Sequence, residues 1–155
     1  MRSHAEYNGC YPIDGAGRAK RSTAMPILPH RVLVIDDDDN MRTLLRLLFE
    51  HRGYQVLLAP DGEIGLALAE GGRPDIILLD VAMPYRNGLE VYLDLQNNLL
   101  TADIPVIVCS AVLTQREIQA WYSLPHVLEV MPKPFDINAL MTRIESICTV
   151  EPLAA

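Results

Sequence analysis

At 155 residues, half of them hydrophobic and 21% charged, the chain is long enough for one domain with a full core and too short for two. No apolar run reaches the ~18 residues needed to cross a bilayer and the N-terminus lacks the apolar stretch of a secretory signal, so a cytoplasmic protein with no membrane partner is expected. Residues 1–30 carry a net charge of +2, which leaves −9 of the total −7 for residues 31–155, and an acidic body without a basic stripe argues against nucleic-acid binding.

Residues 1–30 hold Gly9, Gly15 and Gly17 with Pro12, Pro26 and Pro29 and repeat at neither 3.6 nor 2 residues, so they read as a disordered or loosely attached tail. Arg31–Ile35 is an apolar run without alternation, the pattern of a strand buried on both faces of a parallel sheet. It ends in four acids, Asp36 to Asp39, of which Asp38 or Asp39 suits the cap of the following helix. That helix is expected from about Asn40 to His51, with Leu44, Leu47 and Leu48 in its core stripe and Gly53 closing it.

Tyr54–Ala59 reads as a second strand, and Asp61-Gly62 starts a second helix that stops at Gly71-Gly72. The third strand is Asp75–Asp80, apolar through Ile76, Ile77, Leu78 and Leu79. Met83-Pro84 then turns the chain away, and a helix from Gly88 to about Asn98 follows. Ile104–Cys109 is a fourth strand ending at Ser110. A fourth helix begins at Thr114 or Gln115, carries Ile118, Trp121 and Tyr122, and breaks near Pro125. Val127–Met131 is a short fifth strand before Pro132-Lys133-Pro134, and a last helix runs from about Asp136 to Ile147. Residues 149–155 are a short tail. Five strands each followed by a helix predict an α/β fold, a doubly wound five-stranded parallel sheet with helices on both faces, over residues 31–148.

In such a sheet the carboxyl ends of the strands share one edge, where ligands collect. Asp36, Asp37, Asp80, Ser110 and Lys133 all fall at or just beyond those ends. Two unit charges about 5 Å apart at an effective dielectric near 20 repel by roughly 3 kcal/mol, so three clustered acids call for a cation. A hard divalent ion answers this, and Mg²⁺ fits because it takes few carboxylates and keeps its waters, with Mn²⁺ as a substitute. Lys133 is the only lysine of residues 31–155, where the other eight basic residues are arginine. A flexible stem with a compact charge suits one anionic oxygen near a metal. Cys10, Cys109 and Cys148 are odd in number and widely spaced, which suggests neither a disulfide framework nor a zinc site.

The ordered set Val-Leu-Val-Ile-Asp-Asp, Leu-Leu-Asp-Val-Ala-Met-Pro followed by Gly88, Val-Cys-Ser-Ala and Lys-Pro-Phe resembles the receiver domain of two-component response regulators, CheY-like and flavodoxin-like in topology. The resemblance implies that Asp80 is the phosphoacceptor, taking a phosphoryl group from a phosphohistidine of a sensor histidine kinase or phosphotransfer protein. It further implies that Asp37 binds Mg²⁺ directly, that Asp36 works largely through water, and that the main-chain carbonyl of Ala82 completes the protein's share of the coordination. Ser110 and Lys133 would contact the phosphoryl group, and the signal would be a shift of the face made by the fourth helix, fifth strand and fifth helix. The chain departs from the family three residues before the lysine, where Val130 replaces Tyr or Phe. The Lys133-Pro134 bond resembles one that is cis in the family.

Ala82 and Val112, two residues beyond Asp80 and Ser110, are apolar and unable to orient an attacking water, which predicts slow loss of the phosphoryl group. The chain would act on no substrate beyond its own phosphorylation and dephosphorylation. A stand-alone receiver that signals to a separate protein is expected, as a monomer or a weak homodimer through the fourth-helix/fifth-strand/fifth-helix face. Two other readings are open. One is a receiver-like module that docks a partner whatever its phosphorylation state. The other is an aspartate-nucleophile phosphohydrolase, which would place its nucleophile on the first strand rather than the third.

Overall fold

The computed structural model describes residues 30–148, so apart from His30 the two expected tails lie outside the described residues. Five parallel strands, β1 (Arg31–Ile35), β2 (Gln55–Ala59), β3 (Ile76–Asp80), β4 (Val106–Ser110) and β5 (Val127–Pro132), form one sheet in the order β2-β1-β3-β4-β5. Five helices alternate with them: α1 (Asp39–His51), α2 (Gly62–Gly72), α3 (Gly88–Gln96), α4 (Gln115–Tyr122) and α5 (Ile137–Cys148). The predicted doubly wound α/β fold is therefore the observed one.

The apolar runs of β1 and β3 divide between two cores because successive side chains on a strand point to opposite faces. Leu33, Ile35, Ile77 and Leu79 pack with Val91, Tyr92 and Trp121 on one side. Val32, Val34, Ile76 and Leu78 pack with Phe49, Leu140, Met141 and Ile144 on the other. Each such side chain contributes about 1.5–3 kcal/mol on burial, and together they fix the registers that align the strand ends.

Local chemistry sets the helix boundaries. Asp38 caps α1, its carboxylate accepting from the Asn40 and Met41 N–H groups, and Gly53 beyond the helix holds φ +85°, a conformation that costs glycine little. Asn87 with Glu90, and Thr114 with Glu117, form reciprocal capping boxes at α3 and α4. The strand-four expectation starts two residues early, since Val106 is the first residue in the sheet. The α3 expectation runs two residues long, because Asn97 already closes the helix.

One expectation about the core is overturned. Leu44 and Leu47 are 41% and 57% exposed, and the buried residues of α1 are Leu45 and Phe49. Two residues four apart share a helix face, and only one face of α1 meets the sheet, so an apolar stripe wider than that face leaves its margin in solvent.

Candidate functional site

The strand ends converge as the topology requires. β3 lies between β1 and β4, so Asp80, the last residue of β3, is flanked by Asp36 just past β1 and by Ser110 at the end of β4. One carboxylate oxygen each from Asp36, Asp37 and Asp80 lie within 4.8 Å of one another. Lys133 arrives from the far side of the sheet through its own backbone, its N–H donating to the Ser110 carbonyl at 2.7 Å. Its side chain crosses to the acids, with Nζ donating to Asp36 Oδ2 at 2.5 Å and lying 3.6 Å from Asp80 Oδ2. The Lys133-Pro134 bond that follows is cis, as the resemblance suggested.

The three acids are not equivalent. Asp36 is buried and both its oxygens are engaged, Oδ1 by the Asp38 N–H at 2.9 Å and Oδ2 by Lys133. Asp37 is exposed, and among the described residues its carboxylate has no hydrogen-bond or ion-pair partner. Asp80 is buried, with Oδ1 accepting from the Ala82 N–H at 3.2 Å and Oδ2 turned toward Lys133. Burial raises the Asp80 carboxyl above the ordinary aspartate range, Lys133 opposes that rise, and the charges of Asp36 and Asp37 add to it. Burial works against the Lys133 ammonium, but the hydrogen bond and charge of Asp36, with the charge of Asp80, outweigh it and raise the lysine. A carboxylate held near other acids by a single ammonium is a poised arrangement. It has excess negative charge for a divalent cation and a positive group already in place for an anion.

Ser110 is fully buried, and among the described residues its Oγ has no hydrogen-bond partner. An orphaned buried hydroxyl costs about 1–3 kcal/mol, and its place beside Asp80 fits a group that accepts a hydrogen bond there. The neighbouring thiol serves no such role, because burial pushes Cys109 up to about 12. Ala82, whose N–H reaches Asp80, and Val112 are both exposed, Val112 at 80%. Val130 stands apart from these groups, buried in β5 opposite Val108.

Arg42, not singled out from the sequence, and Gly88, named there only as a helix start and part of a motif, hold the site in shape. Arg42 donates to the Asp36 carbonyl at 2.7 Å and to the Asp39 carboxylate at 2.8 Å, a pairing that its three-residue distance from Asp39 on a helix could have signalled. Gly88 packs its Cα against the backbone that carries Asp80: a Cβ there would stand 2.5 Å from the Asp80 carbonyl oxygen and 2.7 Å from the Val81 Cα. The Gly88 N–H donates to the Val81 carbonyl at 2.9 Å, which ties the start of α3 to the end of β3.

Residues 32–145 match the family model described as the response regulator receiver domain. The chain is 36% identical over 118 residues to the DNA-binding dual master transcriptional regulator RpaA of Synechocystis, an alignment covering 76% of this chain and 48% of that protein. Protein PilH of Pseudomonas aeruginosa is 32% identical over 117 residues, 76% of this chain and 96% of the relative. The chain thus spans about half the length of several curated relatives it matches and nearly all of PilH. Among solved structures, the receiver domain of Francisella response regulator 1452 superposes with a TM-score of 0.67 at 30% identity, covering 76% of this chain and 95% of that one. Chemotaxis protein CheY4 of Vibrio cholerae shares the fold with a TM-score of 0.70 at 24% identity, covering 77% and 98%. Motif order, strand-end geometry and these likenesses agree, and the chain belongs to the response regulator receiver domains, the CheY-like modules of two-component signalling.

Proposed function

We propose that the chain is a phosphoacceptor in a two-component system or phosphorelay, with Asp80 taking the phosphoryl group from a phosphohistidine. The observation that carries this reading is the partly buried Lys133 ammonium set between Asp36 and Asp80, beside a Ser110 hydroxyl that has no partner among the described residues. An Asp80 oxygen bonds to phosphorus as the phosphorus–nitrogen bond to the donor imidazole breaks, and the imidazole leaves with the bond's electron pair. A carboxylate attacks without an added base, and what the reaction requires is stabilisation of charge on the phosphoryl oxygens.

Lys133 supplies a positive charge that is already positioned, and the Ser110 hydroxyl supplies a hydrogen-bond donor. The acid cluster fits Mg²⁺, with Mn²⁺ as a substitute. Asp37 and Asp80 would hold it directly, Asp36 through water, and the Ala82 carbonyl from the main chain. Bound there, the ion draws charge from the phosphoryl oxygens. The free carboxylate of Asp37 and the doubly engaged carboxylate of Asp36 support that division of labour.

The donor is a sensor histidine kinase or a phosphotransfer protein, and the signal is read at the α4–β5–α5 face. The chain itself binds no nucleic acid, turns over no external substrate, and is a monomer or a weak homodimer through that face. The test is intact mass after incubation with acetyl phosphate, comparing the protein with Asp80→Asn in Mg²⁺ and in EDTA. Added phosphoryl mass that requires both Mg²⁺ and Asp80 supports the reading. A folded protein that gains no mass overturns it in favour of a docking module indifferent to phosphorylation.

A further inference from the structure

β5 is an edge strand, and its outer edge is closed by side chains rather than by a neighbouring strand. Val127 and Glu129 pair with the consecutive residues Val106 and Ile107, so Leu128 is the extra residue of a bulge. The Leu128 carbonyl accepts from Arg143 Nη2 of α5 at 3.0 Å. Two residues on, the Val130 N–H donates to the Tyr122 hydroxyl of α4 at 3.3 Å. That hydroxyl in turn donates to Glu129 Oε1, while Glu129 Oε2 lies 3.4 Å from Arg143 Nε. Tyr122, Glu129 and Arg143 thus form one polar clasp joining α4, β5 and α5.

The clasp sits at the anchored end of α4. α4 has eight residues, of which Trp121 is the buried one, so Trp121 and the adjoining Tyr122 hold its C-terminal end. Its N-terminal end hangs from Ser110 by Ala111 to Leu113 and is stiffened there by the Thr114–Glu117 capping box. Ser110 Oγ lacks a partner, so a group bound at Asp80 that engages it draws this short segment inward. A helix drawn at its N-terminal end and anchored by Trp121 turns about that anchor and carries Tyr122 with it. The bonds at the far end are poised to break, since the Val130 contact is long and Arg143 Nε has no aligned acceptor.

We infer that Tyr122, on α4, is the aromatic residue that couples the Asp80 site to the α4–β5–α5 face in this chain, its hydroxyl bonds to Val130 and Glu129 holding the empty state. This rests on the phosphoacceptor reading. By linkage, a contact made only in the empty state weakens binding at Asp80 by the factor with which it favours that state. Tyr122→Phe keeps the ring and deletes both bonds, so it tightens binding of a phosphoryl mimic about 3- to 10-fold.

The experiment titrates beryllofluoride in Mg²⁺ and follows emission from the single tryptophan, Trp121, taking the midpoint rather than the amplitude. Wild type, Tyr122→Phe, Glu129→Gln and the double variant are compared, and thermal melts run alongside. Tighter binding in Tyr122→Phe, with no further gain in the double variant, supports the clasp. Equal or weaker binding in both single variants, whatever their melting temperatures, overturns the clasp and leaves the phosphoacceptor reading intact. Absence of any binding that depends on Asp80 and Mg²⁺ in the wild type overturns both.

Discussion

The carboxyl edge of the sheet and the α4–β5–α5 face are built on opposite principles. At the edge, short buried side chains end fully buried strands, and position is dictated by backbone register: Asp80 sits opposite Cys109, and Lys133 is tied through its own N–H to Ser110. On the face, long side chains reach across gaps between elements, and Tyr122, Glu129 and Arg143 are all partly in solvent. The first arrangement fixes chemistry to fractions of an ångström, and the second tolerates movement. A protein that must react at one place and signal at another gains from having one stiff end and one compliant end.

If that contrast is right, changes at the edge are expensive. Gly88→Ala drives a Cβ into the Asp80 carbonyl and the Val81 Cα, both backbone atoms that cannot step aside, and costs about 3 kcal/mol in urea unfolding. Lys133→Met leaves Asp36 and Asp80 buried without their cation and lowers stability by about 2–3 kcal/mol in EDTA. Added Mg²⁺ restores part of this loss, and a loss that ignores Mg²⁺ would show that the cluster binds no ion.

Polar residues placed together at Ala82 and Val112 shorten the phosphoryl lifetime about tenfold, equivalent to about 1.4 kcal/mol of barrier, read by timing the loss of phosphoryl mass. An unchanged lifetime would remove those two positions from the site. Asp80→Asn removes a buried charge and raises stability in EDTA by about 1 kcal/mol, because the burial of that charge, with added repulsion from Asp36 and Asp37, is only partly offset by Lys133. The smallest effect belongs to the face, where Arg143→Met lowers stability by about 0.5 kcal/mol. A cost there as large as that of Gly88→Ala would erase the contrast between the two regions.

The same contrast explains what was legible in the sequence. Asp36, Asp80, Ser110 and Lys133 could be brought together before any coordinates, because unalternating apolar runs mark buried parallel strands and the ends of such strands share an edge. Of Asp38 and Asp39, either of which suits the cap of the first helix from the sequence, Asp38 is the one that caps α1. Leu44 and Leu47 were misplaced in the core because composition reveals an apolar stripe but not how much of it the sheet covers. The clasp was illegible for a deeper reason. Tyr122 meets Glu129 just past a bulge at Leu128, and neither the bulge nor the reach of a tyrosine from α4 leaves a pattern in spacing. Val130 showed that an aromatic was missing from β5 without showing where another stood.

The brevity of α4 has a consequence for how this protein breathes. Isolated helices shorter than about 12–15 residues are marginal in water, and this one has eight, so it persists only while docked. Its amides then exchange with solvent through local unfolding rather than through opening of the whole domain. In a hydrogen-exchange experiment α4 forms a fast patch beside the slow strands β1, β3 and β4, and any partner that seats on the face slows that patch first.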